Sequence, residues 1–147
     1  MKNLVKTFAI AGLLFASSLT ALAVDNDKDK LNSAVVENVV DAYINSTVKG
    51  DVEHVEDLFG KDFTQKFNTE YNQAPLSRAS FIKQVKDQKG ITYNCDTDYQ
   101  LVEKAGKYSL AKVTLDFANF KRTDYLTMVM DNNGWKITEV NSVYSEK

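Results

Sequence analysis

A single cysteine (Cys95), a single histidine (His54) and a single proline (Pro75) set the first limits on this chain of 147 residues. One cysteine excludes an intramolecular disulfide, so the fold must rest on its apolar core. One Cys with one His cannot supply the four N/S ligands of a structural zinc site, and neither a metal nor another cofactor is expected. Cys95 alternates with Ile91 and Tyr93 and is read as a small buried side chain. His54 stands beside Glu53 and near Glu56 and Asp57, with no nucleophile in view, and is read as a surface imidazole. The chain also lacks a Gly-x-Ser-x-Gly elbow and a glycine-rich phosphate loop.

What is present begins with an address. Lys2 and Lys6 precede the apolar run Phe8–Phe15, and Ala21-Leu22-Ala23 follows as an A-x-A cleavage pattern. The run falls short of the roughly 20 apolar residues that a membrane span needs. Residues 1–23 are therefore expected to be a signal peptide, sending the protein to the periplasm or outside the cell. No cysteine adjoins the cleavage point, so no lipid anchor and no membrane association are expected after cleavage. Residues 24–30 are a charged tether, and 31–147 are long enough for one domain with one core. Two of the 18 basic residues leave with the signal, so 16 face 20 acidic ones, a net of −4. Without a basic excess to displace counterions from phosphate, nucleic acid is not an expected partner.

The periodicity then changes twice. Val35, Val36, Val39, Val40, Tyr43, Ile44 and Val48 repeat at helical spacing, closed by Lys49-Gly50. Asp51 is placed to cap a second helix with Val52, Val55, Leu58 and Phe59 as its apolar stripe. Residues 62–67, with Phe63 and Phe67 four apart, predict a further short helical piece, and 69–75 a loop. Ser77 is the expected N-cap of a third helix carrying Phe81, Ile82 and Val85, which Lys89-Gly90 ends. Beyond Gly90 the period falls to two. Ile91, Tyr93, Cys95, Tyr99 and Leu101 share one parity, broken at residues 96–98. Ala111, Val113, Leu115 and Phe117 mark a second strand, and residues 119–123 a polar connection to a third.

The last hairpin turns either at Asn132-Asn133 or at Asn133-Gly134. The two registers differ by a whole side-chain period, so both put Leu126, Met128, Met130, Trp135 and Ile137 on one face, which must be core. Pairing Met130 with Trp135 and Met128 with Ile137 places apolar opposite apolar and favours the first turn. The other face carries Tyr125, Thr127, Val129, Lys136, Thr138 and Val140, a mixture suited neither to core nor to water.

Three helices followed by a long antiparallel block resembles the nuclear transport factor 2-like superfamily. The likeness is carried by Val39-Val40-Asp41-Ala42-Tyr43, by Lys49-Gly50-Asp51 running on to Leu58-Phe59, and by Asn133-Gly134-Trp135-Lys136-Ile137 as the closing strand. Within it, the chain most resembles the small exported bacterial proteins grouped as SnoaL-like or lumazine-binding. The resemblance implies an α+β fold, a cone-shaped α+β barrel with three N-terminal helices packed in a curved antiparallel sheet. It also implies a small-molecule cavity, for which Tyr43, Phe63, Phe67, Tyr93, Tyr125 and Trp135 are the candidate ligand-binding residues, and a homodimer through the sheet around Tyr125, Val129 and Val140. Enzymes of this fold that resemble ketosteroid isomerase use a pocket carboxylate and a tyrosine hydroxyl. On that alternative reading Asp116, Asp124 and Tyr125 are the candidates, with Tyr43 and Tyr99 as further hydroxyl donors. No run matches the catalytic pattern, so both aspartates are read first as solvent-facing strand or turn-adjacent acids. The expected function is non-catalytic binding of a small, largely apolar ligand or a protein partner; an isomerase-like or hydratase-like enzyme is the alternative.

Overall fold

In the computed structural model the periodicities resolve into three helices and six strands among the described residues, 30–68 and 73–147. The expected signal over 1–23 and residues 24–29 of the tether lie outside them. Helix α1 (Val36–Val48) buries Val36, Val39, Val40, Tyr43, Ile44 and Val48 of the expected stripe, while Val35 precedes the helix at its N-cap and is exposed. Its last turn closes with the Lys49 N–H on the Asn45 carbonyl at 3.1 Å, and Gly50 follows at φ +68. A Cβ at Gly50 would lie 2.6 Å from the backbone nitrogens of Gly90 and Ile91. Only glycine lets the ends of the first and third helices press together here, where the Gly90 N–H donates to the Gly50 carbonyl at 2.9 Å.

The second helix is one turn, α2 (Val55–Leu58), shorter than the stripe suggested. The Asp51 carboxylate accepts from the Glu53 N–H at 3.2 Å, a local turn in place of a helix start. The chain then passes directly into strand β1 (Phe59–Asn68), which corrects the expected helix over 62–67. A spacing of four is even, so Phe63 and Phe67 share one face of a strand as readily as one face of a helix. Pairing with a distant strand decided between them. A two-residue strand, β2 (Leu76–Ser77), leads into α3 (Arg78–Asp87). Ser77 caps α3 as expected, its side chain accepting from the Ser80 N–H at 3.3 Å. Arg78 reaches from α3 to the Glu56 carbonyl at 2.7 Å, and Lys86 to the Glu56 carboxylate at 2.5 Å, tying α3 to α2.

Strands β3 (Asp96–Ala105), β4 (Tyr108–Asp116), β5 (Phe120–Asp131) and β6 (Gly134–Glu146) complete the sheet. Two expectations shift here. The strand predicted from Ile91 starts only at Asp96, because the Tyr93 N–H is committed to the end of α1 through the Val48 carbonyl at 2.8 Å. The polar connection before β5 shrinks because Phe120 stacks on Phe117 with ring centroids 4.4 Å apart. The strand order is β2-β1-β6-β5-β4-β3. β1 runs parallel to β6 and every other pair is antiparallel, so the sheet is mixed and open rather than antiparallel and closed.

The β5–β6 hairpin adopts the first register, with Met130 opposite Trp135 and Met128 opposite Ile137. Leu126, Met128, Trp135 and Ile137 are buried, and Met130 packs against them. Farther along, the register shifts: Thr127 pairs with Glu139, leaving Thr138 as an extra residue in β6. This bulge reverses the parity of the strand. Val140, expected on the mixed face, is consequently buried, and Ser142 turns inward after it. Ser33, just before α1, clamps the hairpin: its carbonyl accepts from the Trp135 N–H at 2.7 Å, and its hydroxyl donates to the Asn133 carbonyl at 2.8 Å. Gly134, at φ +102, leaves the room, since a Cβ there would lie 2.6 Å from the Ser33 carbonyl oxygen.

Candidate functional site

The inward parity of β5 puts Arg122, Asp124 and Leu126 on the helix-facing side, and the bulge brings Ser142 opposite Asp124 on β6. Asp124 is fully buried, against the expectation of a solvent-facing acid. A carboxylate is costly to bury without partners, and three side chains meet this one. Arg122 donates from Nε to Oδ1 at 2.8 Å, Ser142 donates to the same oxygen at 2.6 Å, and the Tyr43 hydroxyl donates to Oδ2 at 2.9 Å. Gln65 of β1 extends the chain by donating to the Ser142 hydroxyl at 2.9 Å. The network thus joins α1, β1, β5 and β6 across the middle of the domain.

Its electrostatics lock the proton positions. Burial, then the Asp124 charge, pushes the Tyr43 hydroxyl well above its ordinary range, so it stays a donor. Burial works hardest to lower the Arg122 pKa, but the charge and hydrogen bond of Asp124, joined by Tyr43 and Tyr144, together outweigh it and hold the guanidinium above its usual value.

Arg122 also forms part of the wall of a cleft beside this network. α1 contributes Thr47, β1 contributes Gln65 and Phe67, and α3 contributes Phe81, Gln84 and Val85. Gln88, Tyr93 and Tyr144 complete the lining. Its volume is about 60 Å³, room for a few waters or one small polar group. The Tyr93 hydroxyl donates to the Gln88 side-chain carbonyl at 2.6 Å, which leaves the Gln88 amide N–H groups as the other end of that side chain. Two of the lining residues, Tyr93 and Tyr144, are the ends of a file of rings. Tyr93 lies 6.2 Å from Phe117, Phe117 lies 4.4 Å from Phe120, and Phe120 lies 6.2 Å from Tyr144.

The residues singled out from the sequence fall into three places. Tyr43, Phe63 and Trp135 are core side chains, each no more than 2 % exposed. Phe67 and Tyr93 line the cleft. Tyr125 lies on the opposite side of the sheet, at the edge of a shallow open depression with Asn141 and Val143. Asp116 and Tyr125 share that outer face, while Asp124 faces inward, so these three do not converge. Asp116 pairs instead with Lys147 and, at 3.9 Å, with Lys121. The Lys147 bond, against a smaller opposing effect of desolvation, holds its carboxyl below the usual range. Tyr99, half-buried on β3, has its pKa raised by burial and then by the charges of Asp41 and Glu37. Among the described residues no group of three or more His, Cys, Asp or Glu side chains is arranged to hold a metal. Arg122, Gln65, Ser142 and Tyr144 were not legible as site residues. Arg122 lay in the segment assigned to a connection, and Ser142 and Tyr144 turn inward only because of the bulge.

Residues 32–145 match the family described as "Putative lumazine-binding". The chain belongs to that family. Lumazine-binding in this sense is a family description, and the architecture is that of the nuclear transport factor 2-like superfamily. An NTF-2-like protein of unknown function from Silicibacter pomeroyi superposes with a TM-score of 0.62 at 22% identity, covering 78% of this chain and 94% of that one. A second, from Methylobacillus flagellatus, also reaches 0.62, at 18% identity, covering 75% and 89%. A ketosteroid isomerase-like protein from Erwinia carotovora atroseptica gives 0.57 at 9% identity, covering 76% and 95%. At these identities the likeness is one of fold. Among curated proteins, none matches the chain significantly.

The inner network makes an energetic prediction for this lumazine-binding-family domain. Tyr43→Phe removes the one hydrogen bond to Asp124 Oδ2 and is expected to cost about 1.5–3 kcal/mol. Asp124→Asn leaves Arg122 without its counter-charge, and because Arg122 is 15% exposed and reaches water, the expected cost is about 2–4 kcal/mol. Urea unfolding of both variants checks this; a loss below about 0.5 kcal/mol in either would show that the network does not hold the elements together.

Proposed function

We propose that the protein is an exported, non-catalytic domain that binds a small ligand in the cleft bordered by α3 and the ends of β5 and β6. The carrying observation is that Arg122 is shared between the buried network and the cleft wall, where Phe67, Phe81, Tyr93 and Tyr144 also stand. The wall of this cleft is as much polar as apolar, with Thr47, Gln65, Gln84, Gln88 and Arg122 beside Phe67, Phe81, Val85, Tyr93 and Tyr144, which suits a ligand with a polar group. The family description points the same way, to a small flat molecule.

A ketosteroid-isomerase-like or hydratase-like reading draws on the 2.9 Å contact between Tyr43 and Asp124. It is the weaker reading. A general base needs an oxygen free to take a proton within reach of the substrate. Both Asp124 oxygens are occupied, and the Tyr43 hydroxyl is spent on one of them. The outer face of the sheet is read as the seat of a second copy of the chain. Tyr108, Tyr125 and Val129 stand there between 37% and 39% exposed, more apolar surface than a face in water needs. Export rests on Lys2, Lys6, Phe8–Phe15 and Ala21-Leu22-Ala23.

A thermal-shift screen of the mature protein against small flat heteroaromatic and aromatic compounds is expected to find ligands that raise the melting temperature. Gln84→Trp, which fills the cleft mouth from α3, should abolish the rise, and a screen with no hits would remove the ligand reading. Light scattering across a concentration series is expected to show a dimer that Val129→Lys converts to monomer; a wild-type monomer throughout would remove the second copy. N-terminal sequencing of protein recovered from the periplasm or medium should begin at Val24, and an intact Met1 there would refute cleavage.

A further inference from the structure

We infer that the cleft recognises the carboxylate of a small planar aromatic acid, with Arg122 as its anchor and the ring file that ends at Tyr144 as the seat of its flat body. The inference rests on the small-ligand reading above and narrows its chemistry.

Arginine presents five N–H donors in a planar fork. Here Nε is bonded to Asp124, and the guanidinium also makes a side-chain hydrogen-bonding contact with the Tyr43 hydroxyl. With Asp124 and Tyr43 engaged, the remaining N–H groups of the fork are left for a ligand at a position lining the cleft. A guanidinium held rigid by a buried carboxylate has already given up its side-chain freedom. It can therefore take a second anion at little further cost in order, and a carboxylate matches its fork in two parallel hydrogen bonds. The Gln88 amide, oriented by the Tyr93 hydroxyl, supplies a further donor in the same wall.

Size separates the two parts of the ligand. The roughly 60 Å³ interior admits a carboxylate but not a ring behind it. The ring must therefore lie outside it, against the lining residue Tyr144, whose ring is 6.0 Å from Arg122 Cζ and 6.2 Å from Phe120, itself stacked on Phe117. Phe120 and Tyr144 are 36% and 40% exposed. A flat aromatic body covers that surface by stacking, and an aliphatic acid does so less well.

Benzoate and its neutral isostere benzamide test this on the mature protein by two-dimensional NMR, following backbone amides and the Arg122 Nε–Hε resonance. Benzoate is expected to move the Arg122 resonance together with amides of residues 120–124 and 142–145, and to bind about tenfold or more tightly than benzamide. Arg122→Lys keeps a cation for Asp124 but removes the fork, and should cost benzoate about tenfold. Tyr144→Ala, at an exposed position that leaves the inner network intact, should cost about threefold or more and keeps the test open if Arg122→Lys does not fold. Equal binding of benzamide overturns the carboxylate inference while leaving a ligand cleft in place. Cleft shifts that leave Arg122 unmoved overturn it as well. If neither compound perturbs the cleft, the inference falls, whereas the ligand reading falls only if the thermal-shift screen is also empty.

Discussion

Asp124 sits at the centre of the domain with no exposure, and much of the structure can be understood as the set of groups that make that position tolerable. A buried carboxylate with no partner costs several kcal/mol. Here it draws one hydrogen bond from α1, one from its own strand and one from β6, with β1 behind the last. The helix and the sheet are thereby aligned by a polar contact of fixed geometry as well as by packing. Apolar contacts alone, such as those of Val36, Val39 and Val40, would tolerate a small slide of α1 along the sheet. Hydrogen bonds of 2.6 to 2.9 Å to one carboxylate leave much less room for one.

The same constraint determines what the site offers a ligand. The network engages both Asp124 oxygens and the Tyr43 hydroxyl, and through them ties the helix to the sheet. Arg122, its charge balanced by Asp124, also lines the wall of a small cleft.

The helix α1 stripe, the Ser77 cap, the core face of the last hairpin and its Asn132-Asn133 turn were all legible in the sequence. Each depends on neighbours a few residues away, or on apolar alternation that survives any sensible register. The helix expected over 62–67 failed because the four-residue spacing of Phe63 and Phe67 fits both periods. Val140 was assigned to the wrong face because a one-residue bulge at Thr138 changes parity without any local mark in the sequence. Of the aromatics picked as cavity residues, Phe67 and Tyr93 line the cleft, whereas Tyr43, Phe63 and Trp135 fill the core. An aromatic side chain looks the same in the sequence in either setting.

By itself the sequence determined the class of fold, most of its apolar faces, and that neither an intramolecular disulfide nor a zinc site of four Cys and His ligands can form. These follow from periodicity and from counting residue types. Only the tertiary structure decided that Asp124 faces inward while Asp116 and Tyr125 face out, and that Arg122, Ser142 and Gln65 gather around it. That grouping joins residues up to 81 positions apart, and it hangs on two long-range events, the parallel pairing of β1 with β6 and the bulge in β6. Neither is encoded in a local pattern, because each is chosen by the energy of the assembled sheet and core.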